Sequence, residues 1–255
     1  MTLRLRQICL VSPTLEPAVG TLCDVLGISI CYRDPAVEKY GLVNAVMPVG
    51  NTFLEVVAPT KDGTAAGRYI ARRNGEGGYM VIIDCDDIAP WIDHVAAVGV
   101  RIAADLNYAG EYRGLQLHPR DTGGALLEIN WSHDGANLAG PYHPAGPDWH
   151  GATGAAAAAA ITAAEIQSDD PAALAARWGH ILQKPVQTVG GIATLALEMG
   201  SLRFVPATDG RGEGLGGIDV RVTDRARALR QAAALGIAVT GGMLTICGTR
   251  IRLVE

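Results

Sequence analysis

The sequence predicts an α+β fold made of four copies of one β-α-β-β-β module, and three observations carry that expectation. The order of one strand, one helix and three more strands can be read twice across residues 3–131. It recurs more faintly across 161–255, where DDIAPWIDHVAAVGV (86–100) aligns with TDRARALRQAAALGI (223–237) without a gap. Between the halves, residues 132–160 are rich in Gly and Pro and end in six alanines, 155–160, which reads as a linker with either a helical lead-in or plain low complexity at its end. The expected domains are therefore 1–131 and 161–255, each a pair of modules.

The first module opens with the apolar, β-prone stretch Leu3–Val11. Leu15, Val19, Leu22 and Leu26 follow at helical spacing, and Gly27 stops that helix. Strands are expected at 28–33, 42–49 and 52–58, the last two joined by Gly50-Asn51, with a small helix at 64–73. The second module repeats the order: strand 79–85, a helix marked by Ile88, Trp91, Ile92, Val95 and Val98, then strands at 100–107, 113–118 and 125–131. In the third, strand 161–167 leads through Asp169-Asp170-Pro171 into a helix with Leu174, Trp178, Ile181 and Leu182, followed by strands near 187–198 and 201–206. The fourth begins at 218–222 and runs through a helix to Gly236.

Composition narrows the class of function. Apolar residues make up 49% and charged residues 18%, the balance of a soluble globular chain. With a net charge of −5 and no basic run longer than Arg72-Arg73, nothing favours nucleic acid. No apolar run approaches the roughly 18 residues that cross a bilayer, and no cleavable leader is evident, so no membrane partner is expected. Five irregularly spaced cysteines, none in a CxxC pair, argue against a disulfide framework and for the cytoplasm. His133, His143 and His150 fall in the linker, spaced by ten and seven positions, and read as linker residues rather than ligands.

FLEVVAP closes the first module and TGGALLEI the second. Paired modules closed in this way resemble the vicinal oxygen chelate superfamily, which includes the glyoxalases, epimerases, extradiol dioxygenases and bleomycin-resistance proteins. LHPRDTGGALLE looks like the corresponding stretch of the epimerases. The resemblance covers 3–131 well and 161–255 by element order alone. It implies two glyoxalase-like domains, the C-terminal one degenerate, each curling a mixed sheet into a cupped cleft. Two clefts can form within one chain or by exchange between chains, so a homodimer stays open beside a monomer.

The resemblance also implies a site. The superfamily draws a ligand from the first and last strands of each module, here Gln7, Glu55, Met80 and Glu128. Gln, Glu, His and Glu form the set of human-type glyoxalase I, so Met80 stands where a histidine is expected. Gln7, Glu55 and Glu128 would offer three oxygen ligands, which suit Mg, Mn or Ca better than Zn. Superfamily enzymes of this kind remove a proton beside a carbonyl, and Glu128 and Glu55 are the candidate catalytic carboxylates. Each also reads as the outward residue of an alternating strand. His118 is expected to cap a hairpin or to lie at the cleft mouth, with Arg120 available to an anionic substrate group. His94 is expected at the surface. In the second half, Ala163, Phe204, Gly217 and Arg252 align with the ligand positions, and three of these cannot coordinate a metal. Two functions follow. One is a lyase or isomerase of the glyoxalase type, acting on a small anionic carbonyl compound or thioester. The other is a metal-free protein of the same fold that sequesters a small molecule.

Overall fold

A computed structural model describes residues 2–153 and 157–255. Its elements follow the repeat. The first module holds β1 (Leu3–Val11), α1 (Leu15–Leu26), β2 (Leu42–Val49), β3 (Thr52–Pro59) and α2 (Ala65–Arg72). The second holds β4 (Gly77–Cys85), α3 (Ala89–Ala97), β5 (Ile102–Tyr108), β6 (Tyr112–Leu117), the short α4 (Pro119–Thr122) and β7 (Leu126–Ser132). The third has β8 (Ala158–Ser168), α5 (Pro171–Leu182), β9 (Val186–Val189), β10 (Ile192–Ala196) and β11 (Ser201–Pro206). The fourth has β12 (Gly214–Val222), α6 (Arg225–Ala234), β13 (Val239–Thr240), β14 (Met243–Ile246) and β15 (Thr249–Val254). The strands form two curled mixed sheets, of seven and eight strands.

Helix ends sit where local chemistry places them. Gly27 closes α1 in the left-handed region, at φ 64°. Thr64, Asp170 and Asp224 accept hydrogen bonds from backbone N–H groups in the first turns of α2, α5 and α6.

Two strand expectations change. Residues 28–33 form no strand and meet β2 at an isolated bridge between Tyr32 and Val46, where Cys31 N also donates to Val46 O at 2.8 Å. Asp34 Oδ1 accepts from Ala36 N at 2.8 Å and Pro35 opens a 3-10 turn, so the extended run ends after one rung. The expected strand near 187–198 is a hairpin, β9 and β10, turned at Gly190 and Gly191, which both have positive φ. Of the alanine run, 158–160 belong to β8, while 155 and 156 lie outside the described residues.

Two compact units divide the chain. One comprises Met1–Arg6, Tyr79–His143 and Thr162–Gly216; the other comprises Gln7–Gly78, Pro144–Ile161 and Gly217–Glu255. Each combines strands from before and after residues 132–160. In the first unit Trp178 of α5 meets Phe204 of β11 edge-on at 5.8 Å. Gly124 has positive φ, and a Cβ there would come within 2.9 Å of Ile166, so this turn lies directly on β8. In the second unit Phe53 of β3 packs edge-on against Trp149 at 5.1 Å. Tyr142 and Trp149 are buried, so the 132–160 stretch contributes to the core.

The first unit also buries an ion pair. Arg4 Nε and Nη2 reach Asp84 Oδ2 at 2.9 and 2.7 Å, while Arg4 Nη1 meets Asp86 at 2.7 Å. Asp84 is 1% exposed, and burial pushes its carboxyl up from 3.8 to about 6 against the opposing pull of Arg4. The folded state therefore favours protonated Asp84. Its contribution to stability is complete below its unfolded pKa and is lost as the pH rises through about 6. Urea unfolding of wild type and Asp84→Asn checks this: between about pH 4 and pH 7 the difference should move against the wild type by on the order of 1–3 kcal/mol.

Candidate active site

In every module the first and last strands pair in parallel, and one register position on the last strand carries a charge. Glu55 lies opposite Cys9, Glu128 opposite Ile82, Arg203 opposite Glu165 and Arg252 opposite Asp219. The position is acidic in the first two modules and basic in the last two. This corrects the alignment of the second half. Phe204 points at α5, so Arg203 takes the position opposite Glu165, while Arg252 keeps its place opposite Asp219. Arg203 Nη2 stands 3.4 Å from Glu165 Oε2, and Arg252 Nε stands 3.8 Å from Asp219 Oδ1. The sequence pattern missed Glu165 and Asp219, which come opposite Arg203 and Arg252 only through the register of the parallel pairs.

The second unit holds Gln7 and Glu55 together. Gln7 Nε2 donates to Glu55 Oε2 at 2.8 Å, and Asn44 Nδ2 of β2 donates to Oε1 at 2.7 Å. Asn44 is held in turn, since its Oδ1 accepts from Asp34 N at 2.8 Å. Glu55 is 8% exposed. Nothing in the spacing of the sequence marked Asn44, which reaches Glu55 only because β2 folds back on β3.

The first unit holds Glu128, which is 2% exposed. The Tyr112 hydroxyl donates to Oε1, and Gln116 Nε2 donates to Oε2 at 3.0 Å. Asn130, two residues along β7 and fully buried, donates through Nδ2 to the hydroxyls of Tyr112 at 3.3 Å and Tyr142 at 3.4 Å. Burial raises the pKa of Glu128, and the hydrogen bonds from Tyr112, Gln116 and Asn130 pull the other way without cancelling it. Burial and the neighbouring carboxylate also raise Tyr112, which stays a protonated donor. A carboxylate stripped of water and lifted in pKa is suited to taking up a proton.

His118 and Arg120 lie at the end of this unit marked by α4. His118 Nδ1 accepts from Arg120 N at 3.3 Å, so the imidazole caps α4. Arg101 packs beside it, with Nη2 at 3.4 Å from His118 Nδ1 and a bidentate ion pair to Asp121 at 2.8 Å. Arg120 is exposed. His94 is less free than expected at the surface: its Nε2 lies 3.0 Å from Ile181 O, at the end of α5.

The residues do not fit a resident divalent ion. Each oxygen of Glu55 accepts from an amide and each oxygen of Glu128 from Tyr112 or Gln116, so these carboxylates are held by neutral donors. Gln7 Oε1 is the one side-chain oxygen of that amide cluster which no donor reaches, whereas a hard ion takes about six oxygens. Among the described residues no three His, Cys, Asp or Glu side chains stand close enough to hold an ion. Met80 is buried on β4 and offers only a thioether.

Comparison with known proteins agrees with this architecture. A family model described as a glyoxalase-like domain matches residues 8–182. The mitochondrial methylmalonyl-CoA epimerase of Mus musculus is 27% identical over 128 residues, spanning 49% of this chain and 71% of the epimerase. A mutant 4-hydroxymandelate synthase from Streptomyces coelicolor superposes with a TM-score of 0.70 at 16% identity, covering 92% of this chain and 75% of that one. A hypothetical protein from Staphylococcus aureus superposes with a TM-score of 0.69 at 11% identity, covering 100% and 99%. At such identities the two structures show a shared fold. No helix among the described residues is long and apolar enough to cross a membrane. Matched over more than half its length, the chain belongs to the glyoxalase-like domain family of the vicinal oxygen chelate superfamily.

Proposed function

We propose that the protein is a proton-transfer enzyme that acts on the carbon beside a carbonyl, in a small anionic compound or thioester, with Glu128 taking the proton. The observation that carries this reading is the environment of Glu128: a buried carboxylate of raised pKa, held by a phenol and an amide on one face of the β6–β7 pair. The match to epimerases that by name act on methylmalonyl-CoA supports a thioester as the first class to test.

In this reading Glu128 works in its ionised form. Removing it from water makes it a stronger base, and placing it on a strand holds it still while the proton moves. Gln116, itself partly exposed, is the donor to Oε2. Arg120, exposed beside the α4 turn, is the candidate guanidinium for an anionic group, with His118 setting the turn that carries it. Glu55 remains the second candidate carboxylate. Its two oxygens accept from the amides of Gln7 and Asn44.

Two measurements test the reading. Wild-type protein in deuterated water should wash out the α-proton of methylmalonyl-CoA or a related 2-substituted acyl-CoA, and Glu128→Gln should slow the exchange by roughly 10²–10⁴-fold. Binding without exchange of any such compound would instead leave the sequestering protein. Metal content by mass spectrometry, after chelation and addition of Mn or Mg, should stay well below one ion per chain. A stoichiometric ion that Glu55→Ala abolishes would show that the amide clamp opens.

A further inference from the structure

We propose that Tyr112 is the positioning residue of the Glu128 site: its hydroxyl pins Oε1 and fixes the plane of the carboxylate, so that Oε2 is the oxygen presented to substrate. The inference rests on the reading of Glu128 as the base. It stands on three features of the first unit, each independent of that reading.

The first is the direction of the hydroxyl hydrogen. Asn130 Nδ2 can only donate, and it lies 3.3 Å from the Tyr112 oxygen. That oxygen is therefore an acceptor toward Asn130, and its own hydrogen is left for Glu128 Oε1. The same amide donates to Tyr142 at 3.4 Å, so Asn130 is held from two sides.

The second is Gly114, which lies between Tyr112 and Gln116 on β6. Its φ is not among the positive values that demand glycine. What demands glycine is space. A Cβ at this position would stand 2.7 Å from the Tyr112 oxygen and 2.8 Å from Glu128 Oε1. A strand interior normally favours a side chain; here it is given up where phenol and carboxylate meet.

The third is the bracing of the phenol ring. His143 stacks on Tyr112 with centroids 5.6 Å apart and planes 22° apart, and Tyr108 closes on His143 at 4.3 Å. The Tyr112–Oε1 contact is buried, whereas the Gln116–Oε2 contact is only partly so. The two oxygens of Glu128 are thereby made unequal: Oε1 is held by a buried phenol, Oε2 by the amide of the partly exposed Gln116.

Tyr112→Phe removes the hydroxyl and keeps the ring. Proton NMR of the full chain should show a slowly exchanging hydroxyl resonance that Tyr112→Phe removes and Glu128→Gln moves upfield. In the α-proton exchange assay, Tyr112→Phe should lower kcat by roughly 10–10²-fold with KM changed by less than about two-fold, the pattern of a misaligned base. Gly114→Ala, which keeps both groups but forces them apart, should lower kcat in the same way. A hydroxyl resonance that ignores Glu128→Gln overturns the proposal. So does a folded Tyr112→Phe protein whose kcat stays within about two-fold of wild type. If the wild type exchanges no α-proton, the reading of Glu128 as base fails, and the NMR comparison still decides whether Tyr112 anchors the carboxylate.

Discussion

The parallel pairing of the first and last strands of each module is the constraint from which the rest of the structure follows. Parallel neighbours cannot be joined by a tight turn and need a crossover of a dozen residues or more. Each module fills that crossover with a helix and with hairpin strands that extend the sheet at its edge. The β1–β3, β4–β7, β8–β11 and β12–β15 pairs are four instances of one solution. Since a strand presents alternate residues to one face, a fixed register returns a fixed position four times. Glu55, Glu128, Arg203 and Arg252 occupy it.

Where that position is buried, as at Glu55 and Glu128, a charge must be satisfied where it stands, because leaving it unpaired away from water is costly. The chain uses two remedies. Glu55 and Glu128 remain acidic and collect neutral donors: amides from Gln7 and Asn44 in one case, a phenol and an amide from Tyr112 and Gln116 in the other. Arg203 and Arg252 stand opposite the carboxylates of Glu165 and Asp219. Neutral donors steady a carboxylate while leaving it able to take up a proton. An ion pair quenches the charge instead. In our reading that difference favours the N-terminal modules as the place for proton transfer.

Glu128 and Asp84 show how environment separates two buried carboxyls in one unit. Asp84 faces a guanidinium, Glu128 faces only neutral donors, and burial is the leading upward influence on both. Asp84 ties Arg4 of β1 to β4 and belongs to the framework. Glu128 sits where β6, β7 and Tyr142 converge, and its partners come from strands rather than mobile loops, which is the arrangement that holds a reacting group to a narrow geometry.

Local pattern determined much of this protein. Helical spacing from Leu15 to Leu26, the Gly27 stop, the Asp170-Pro171 entry to α5 and the gap-free match between 86–100 and 223–237 need only neighbours in sequence, and each appears as an element or cap of the fold. Gln7, Glu55 and Glu128 could be picked out as polar residues in apolar strands. Their surroundings could not. Asn44 reaches Glu55 because β2 folds back on β3, Tyr112 reaches Glu128 across sixteen residues, and Arg203 rather than Phe204 meets Glu165 because strand register decides it. The sequence by itself determined the repeat and the candidate carboxylates, since periodicity and caps are short-range. Tertiary structure alone decided what each carboxylate touches, because hydrogen bonds between strands depend on register, and a shift of one residue turns every side chain to the other face.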